Sequence, residues 1–140
     1  MPVSNSSAVW KGNLADGSGT MKLGKGGYEG PFTKASRFEN GAGTNPEELV
    51  AAAHAGCFAM ALSAQLENAG MTAERLEVTA TVKLEKLDSG FAVTESHLDL
   101  TAHIPGADPG KFEAAADNAK KGCPISKLLN ARISLNAKLG

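Results

Sequence analysis

Asn45-Pro46-Glu47-Glu48-Leu49-Val50-Ala51-Ala52-Ala53-His54-Ala55-Gly56-Cys57-Phe58-Ala59-Met60-Ala61-Leu62 is the stretch on which the fold turns. Asn45 suits the N-cap of a helix and Pro46 its first helical position. Glu48 completes a capping-box-like pattern, and the Glu47-Glu48 pair complements the positive helix end. The helix is expected to run to about Asn68 and to stop at Gly70. Residues 49–62 are apolar nearly all round, which predicts a buried helix rather than a surface one. The many alanines permit another backbone to come close.

On the N-terminal side, residues 8–28 read as a hairpin with its turn near Asp16-Gly17. Residues 29–44 are glycine-rich, read as irregular, and carry Arg37. On the C-terminal side, residues 76–84 alternate as a strand, and so do residues 91–104, where Leu98, Leu100, Ala102 and Ile104 share a face. The link 86–90 makes these two a hairpin. Residues 111–121 form a helix with Asp108 as cap and Pro109 at its first position. A short helix follows over 124–129, capped by Cys123, and a last strand over 132–139. This order predicts an α+β domain with antiparallel sheet packed on a central helix.

With 140 residues and neither repeat nor linker, the chain is expected to be a single domain over 1–140 that needs no disulfide staple. The net charge is -1, and no basic run extends beyond Lys120-Lys121, which argues against nucleic-acid binding. Residues 1–7 lack a positive segment followed by an apolar core, so no signal peptide is expected. The apolar stretch 49–62 falls short of the roughly 20 residues that span a bilayer. A soluble cytoplasmic protein is the expectation, and there a disulfide is usually transient and catalytic.

The two cysteines, Cys57 and Cys123, sit in different settings. A thiolate, not a thiol, attacks an electrophile such as a peroxide oxygen. Cys57 lies about three turns into its helix, beyond the reach of the helix dipole, and apolar burial there raises its pKa. It needs a cation from elsewhere, and Arg37 is the nearest in sequence. Cys123, at a helix start, faces free backbone N–H groups and is by local physics the more acidic thiol. Sequence physics therefore leaves open which cysteine attacks first, and a cysteine in an apolar helix can equally be a small core residue. A zinc site built from His54 and Cys57, with Cys123 and His97 or His103, is the competing chemical reading. The missing C-x-x-C pair weighs against zinc and against a thioredoxin-like motif, and neither metal nor cofactor is expected.

The run from Ser36 to Leu62, containing Arg37-Phe38-Glu39, Asn45-Pro46-Glu47-Glu48-Leu49 and His54-Ala55-Gly56-Cys57, resembles the OsmC/Ohr family of organic hydroperoxide reductases. Lys121-Gly122-Cys123-Pro124-Ile125-Ser126-Lys127 is similar to the second cysteine motif of that family. The Arg-Phe-Glu segment and His54 resemble the OsmC branch more than the Ohr branch. The resemblance implies an intertwined homodimer with antiparallel sheets wrapped around long central helices. It implies that Cys57 is the peroxidatic and Cys123 the resolving cysteine. Arg37 would hold the Cys57 thiolate and orient the peroxide, and Glu47 would fix the guanidinium. The implied substrate is an organic hydroperoxide, favoured by apolar surroundings such as Phe38, Phe58, Met60 and Leu62. The implied reductant is a dihydrolipoyl dithiol.

Geometry adds a constraint. Glu47 and Cys57 are ten residues apart, about 15 Å of rise on one continuous helix. Either the helix starts later than Asn45 suggests, or Arg37 and Glu47 reach the cysteine from a partner subunit across a two-fold axis, the alternative favoured here. A different class of function, a non-catalytic relative that senses peroxides or binds a hydrophobic ligand, needs no recycling of Cys123.

Overall fold

The computed structural model describes residues 2–140; Met1, the first residue of the segment read as lacking a leader, lies outside them. The chain divides into two compact units, residues 1–49 and 50–140.

In the first unit, β1 (Ser6–Lys11), β2 (Ser18–Leu23) and β3 (Glu29–Phe32) form an antiparallel sheet in that order. The expected hairpin is present, closing at the Lys11–Ser18 pair. The stretch 29–44, read as irregular, instead holds β3 and a five-residue helix, α1 (Lys34–Phe38). Pro31 and Gly30 hide β3 from a sequence reading, yet β3 is an edge strand, where a residue without an N–H is tolerated. Helix α1 starts at a capping box. The Thr33 hydroxyl accepts from the Ser36 N–H at 3.1 Å, and the Ser36 hydroxyl accepts from the Thr33 N–H at 2.8 Å.

Helix α2 (Pro46–Asn68) begins in the first unit and is the spine of the second. Its start is as expected, with the Asn45 side chain accepting from the Glu48 N–H at 2.7 Å. The Glu48 carboxylate does not close the box; it takes the Thr44 hydroxyl at 2.6 Å. At the far end Gly70 adopts φ +80°. The Gly70 N–H then donates to Glu67 and the Met71 N–H to Leu66, a paired C-terminal cap that seats Met71 beside Leu66 in the core.

Burial of α2 differs from expectation. His54, Phe58, Leu62 and Leu66 form its buried stripe at four-residue spacing. Ala52, Ala53, Gly56 and Met60 lie exposed, Met60 at 78%. The helix is apolar on both faces, but the single chain covers only one. With 23 residues, α2 is also longer than the apolar stretch 49–62 and, by length and composition alone, long enough to cross a membrane; core helices of globular domains pass the same test.

Strands β4 (Arg75–Leu87) and β5 (Gly90–His103) form the second hairpin across Asp88-Ser89, with Gly90 at φ +119°. Leu98, Leu100, Ala102 and Ile104 are all buried, as their alternation predicted. Helix α3 (Pro109–Gly122) starts with Asp108 accepting from the Lys111 N–H, and α4 (Pro124–Leu128) follows Cys123. The last strand, β6 (Arg132–Leu139), pairs with β5 in parallel, with Leu98 opposite Leu135. The expected antiparallel sheet is present in the β4–β5 pair, and β6 makes it mixed. The α3–α4 crossover carries the chain back to the end where β5 began, so β6 must run in the same direction. The core of this unit joins Phe58, Leu62 and Leu66 to β5 and to Phe112, Ala115, Ala116 and Ala119 of α3. Truncating Leu62, which is fully buried, would cost about 2–5 kcal/mol. The chain is an α+β protein, as its element order predicted.

Candidate active site

The residues singled out in the sequence assemble in two groups, one in each unit. In the first unit Arg37 and Glu47 form a bidentate pair. Nε of Arg37 donates to Oε1 at 3.0 Å and Nη2 to Oε2 at 2.9 Å. The backbone beneath them is fixed by Ser36, which is buried. The Ser36 hydroxyl donates to the Thr44 carbonyl at 2.7 Å, and the Ser36 carbonyl accepts from the Asn45 side chain at 3.1 Å. One serine thus ties α1, which carries Arg37, to the start of α2, which carries Glu47. The planar guanidinium matches a carboxylate edge to edge, which sets its orientation as well as its place.

The Arg37 guanidinium also stacks 5.4 Å from the centre of the Phe38 ring. Beside it lies a cavity of about 300 Å³ lined mainly by Trp10, Leu14, Phe32, Arg37 and Phe38. Apolar surroundings were expected from Phe58, Met60 and Leu62 too. Phe58 and Leu62 are fully buried core residues, however, and Met60 stands on the exposed face of α2.

In the second unit the two thiols meet. Cys57 on α2 and Cys123 before α4 are both free, with sulfur atoms 2.8 Å apart across 66 positions of sequence. Cys123 is completely buried and Cys57 is half-buried. Burial pushes the Cys57 thiol up from its ordinary range, and the Cys123 side chain pushes it further; the Ile125 backbone N–H, donating to the sulfur, pulls the other way.

That N–H was missed by the sequence reading, which gave the start of α4 to Cys123. The Cys123 side chain makes no cap hydrogen bond. The free N–H of the first turn serves Cys57 instead, because the helix start faces across to α2.

His54 does not join the thiols in a metal site. It is buried, with Nδ1 2.6 Å from the Ser96 hydroxyl and Nε2 2.7 Å from the Ser126 hydroxyl. His97 lies against Ser134 at 2.6 Å and Asp99 at 3.3 Å. Among the described residues no group of three or more histidine, cysteine or acidic side chains is placed to hold a metal ion. Ser96 and Ser126 were not foreseen. The available signal was Ser96 standing in register with the buried Leu98 and Leu100, a polar side chain on an apolar face that needs a partner.

Comparison with known proteins is in keeping with this arrangement. The sequence model of the OsmC-like protein family matches residues 39–138. Peroxiredoxin OsmC of Escherichia coli strain K12 is 44% identical over 133 residues, covering 94% of this chain and 93% of the relative. An organic hydroperoxide resistance protein of Xanthomonas axonopodis pv. citri is 30% identical over 101 residues, covering 71% and 68%. The crystal structure of an organic hydroperoxide resistance protein OsmC from Legionella pneumophila superposes with a TM-score of 0.73 at 25% identity, covering 99% of each chain. With two cysteine motifs that meet in space and a family match over most of its length, this chain belongs to the OsmC family.

Proposed function

We propose that this protein is a cysteine-based peroxidase that reduces organic hydroperoxides to alcohols. One observation carries the reading: two free thiols, distant in sequence, stand 2.8 Å apart in a chain 44% identical to a protein named a peroxiredoxin. Cys57 is the attacking residue. It is half-buried where Cys123 is sealed, and it alone receives the Ile125 N–H. The Cys57 thiolate attacks the distal peroxide oxygen, the O–O bond breaks, and the alkoxide takes a proton and leaves as the alcohol. The resulting sulfenic acid condenses with Cys123; the S–S bond forms and water leaves. An external dithiol, of the dihydrolipoyl type, restores both thiols by exchange.

Burial works against the thiolate, so a cation has to be supplied. Helix α2 is unbroken from Pro46, which supports a partner-subunit origin of the charge over a later helix start. Arg37 of the partner subunit, held by Glu47 of the partner subunit, then supplies the charge, in a homodimer with shared active sites. The exposed apolar face of α2 around Gly56 and Met60 supports close packing against a second copy. The apolar cavity beside Arg37 supports an organic rather than a small inorganic peroxide. Residues 1–140 act in this reading as one functional domain of a cytoplasmic protein that binds neither membrane nor nucleic acid and needs no cofactor.

The test is consumption of cumene hydroperoxide with dihydrolipoamide as reductant. Turnover by the native chain and its loss in Cys57→Ser are expected. Undiminished turnover in Cys57→Ser would overturn the assignment.

A further inference from the structure

The reaction proposed above gives His54 no task, yet its imidazole is fully buried beside the chemistry. Burying a ring with two polar nitrogens is costly unless both are matched. Both are: Nδ1 meets Ser96 of β5 at 2.6 Å, and Nε2 meets Ser126 of α4 at 2.7 Å. A neutral imidazole has one N–H and one lone pair, so it donates to one hydroxyl and accepts from the other. The ring therefore runs as a strut from the central strand, through α2, to the short helix.

The strut and the thiols share a spacing. Cys57 follows His54 by three residues on α2, and Ser126 follows Cys123 by three residues into α4. The 2.8 Å thiol contact and the 2.7 Å His54–Ser126 contact are thus successive rungs between the same two segments. Helix α4 has five residues, too few to hold shape on its own hydrogen bonds. Its start is tethered to α3 through the Cys123 N–H, which donates to Ala119 at 2.9 Å. On the α2 side two polar contacts tether it, the Ile125 N–H on Cys57 and His54 on Ser126, and of these only His54 lies outside the reacting pair of thiols.

The geometry points to His54 as a positioning residue for the resolving half of the reaction, keeping α4 and the Cys123 sulfur within bonding reach of oxidised Cys57. This rests on the peroxidase reading. In the resolving step the Cys123 sulfur attacks the Cys57 sulfenic sulfur, the S–S bond forms, the S–O bond breaks, and the oxygen leaves as water with the Cys123 proton. If Cys123 is slow to arrive, a second hydroperoxide converts the waiting sulfenic acid to sulfinic acid, which a dithiol does not restore. His54 acts through Ser126, not on the reacting atoms.

The amide of a glutamine reaches where Nε2 stands and that of an asparagine where Nδ1 stands. His54→Gln can therefore keep the Ser126 rung, and His54→Asn cannot. The experiment treats wild type, His54→Gln, His54→Asn and Ser126→Ala with excess cumene hydroperoxide and reads the state of Cys57 by mass spectrometry. Circular dichroism checks the fold. His54→Asn and Ser126→Ala are expected to accumulate sulfinic acid several-fold over wild type, with His54→Gln close to wild type. Should the His54 variants not fold, Ser126→Ala carries the comparison alone. Disulfide closure as in wild type by both His54→Asn and Ser126→Ala overturns the proposal. So does equal failure of all three variants, which would mark a general loosening of the core. A wild-type chain that keeps its thiols under hydroperoxide removes the peroxidase reading and this inference together, an outcome distinct from the other two.

Discussion

The backbone N–H of Ile125 donates to the sulfur of Cys57, the residue that burial pushes away from its reactive, charged form. One N–H is a modest aid. It belongs to the first turn of a five-residue helix and offsets only part of the desolvation. A full charge is still needed, and in the proposed mechanism it comes from an Arg37 held edge to edge by Glu47.

Removing that charge should be visible at the thiol itself. In Arg37→Ala the pH at which Cys57 is half-alkylated by iodoacetamide is expected to rise by about one to three units, the range for losing an opposite charge at close quarters. Peroxidase activity at neutral pH falls with it. An unchanged alkylation profile would mean that Arg37 does not face the sulfur.

Glu47→Gln leaves the guanidinium charged but loosens its orientation. The Arg37 side chain is 37% exposed, so solvent screening limits the loss of stability to about 1 kcal/mol or less. The loosened guanidinium is expected to lower kcat/KM by less than Arg37→Ala does. A loss of activity as large as that of Arg37→Ala would instead give Glu47 a direct part in the chemistry.

His54 predicts a pH dependence of stability. Burial lowers its pKa from 6.5, so the folded chain keeps the ring neutral where the unfolded chain protonates it. The unfolded state then binds more protons, and stability falls as pH drops below about 6.5 toward the depressed folded value. Melting temperatures between about pH 8 and 5 should show this loss in wild type and a smaller one in His54→Gln. Equal slopes in the two proteins would contradict it.

The exposed face of α2 predicts the assembly. A side chain added at Gly56 meets nothing within 4 Å in the single chain. The native chain is expected to sediment as the proposed dimer, and Gly56→Leu to leave the fold of each chain intact but sediment as a monomer, taking peroxidase activity with it. A Gly56→Leu protein that sediments like wild type would place the subunit contact elsewhere.

Much of this was legible in the sequence because it is local. Asn45, Pro46 and Gly70 bound α2 through cap chemistry that acts within a turn, and the alternation from Leu98 to Ile104 assigns a buried face by period alone. The pairing of Arg37 with Glu47 followed from the resemblance and not from any local rule. What escaped was tertiary. The parallel run of β6 depends on where a crossover ends, and β3 is masked by Pro31 at a sheet edge. The partners of His54 are 42 and 72 residues away, beyond any spacing rule. The same distance explains why the first N–H groups of α4 were assigned to the neighbouring Cys123 rather than to Cys57 across the interface of two helices.

The central claim is most directly tested by counting thiols and mapping bonds after one equivalent of organic hydroperoxide. Loss of both free thiols, with a single bond linking Cys57 to Cys123 in the same chain, is the predicted result. Retention of both thiols, or a stable oxide on Cys57 with Cys123 still free, would contradict it.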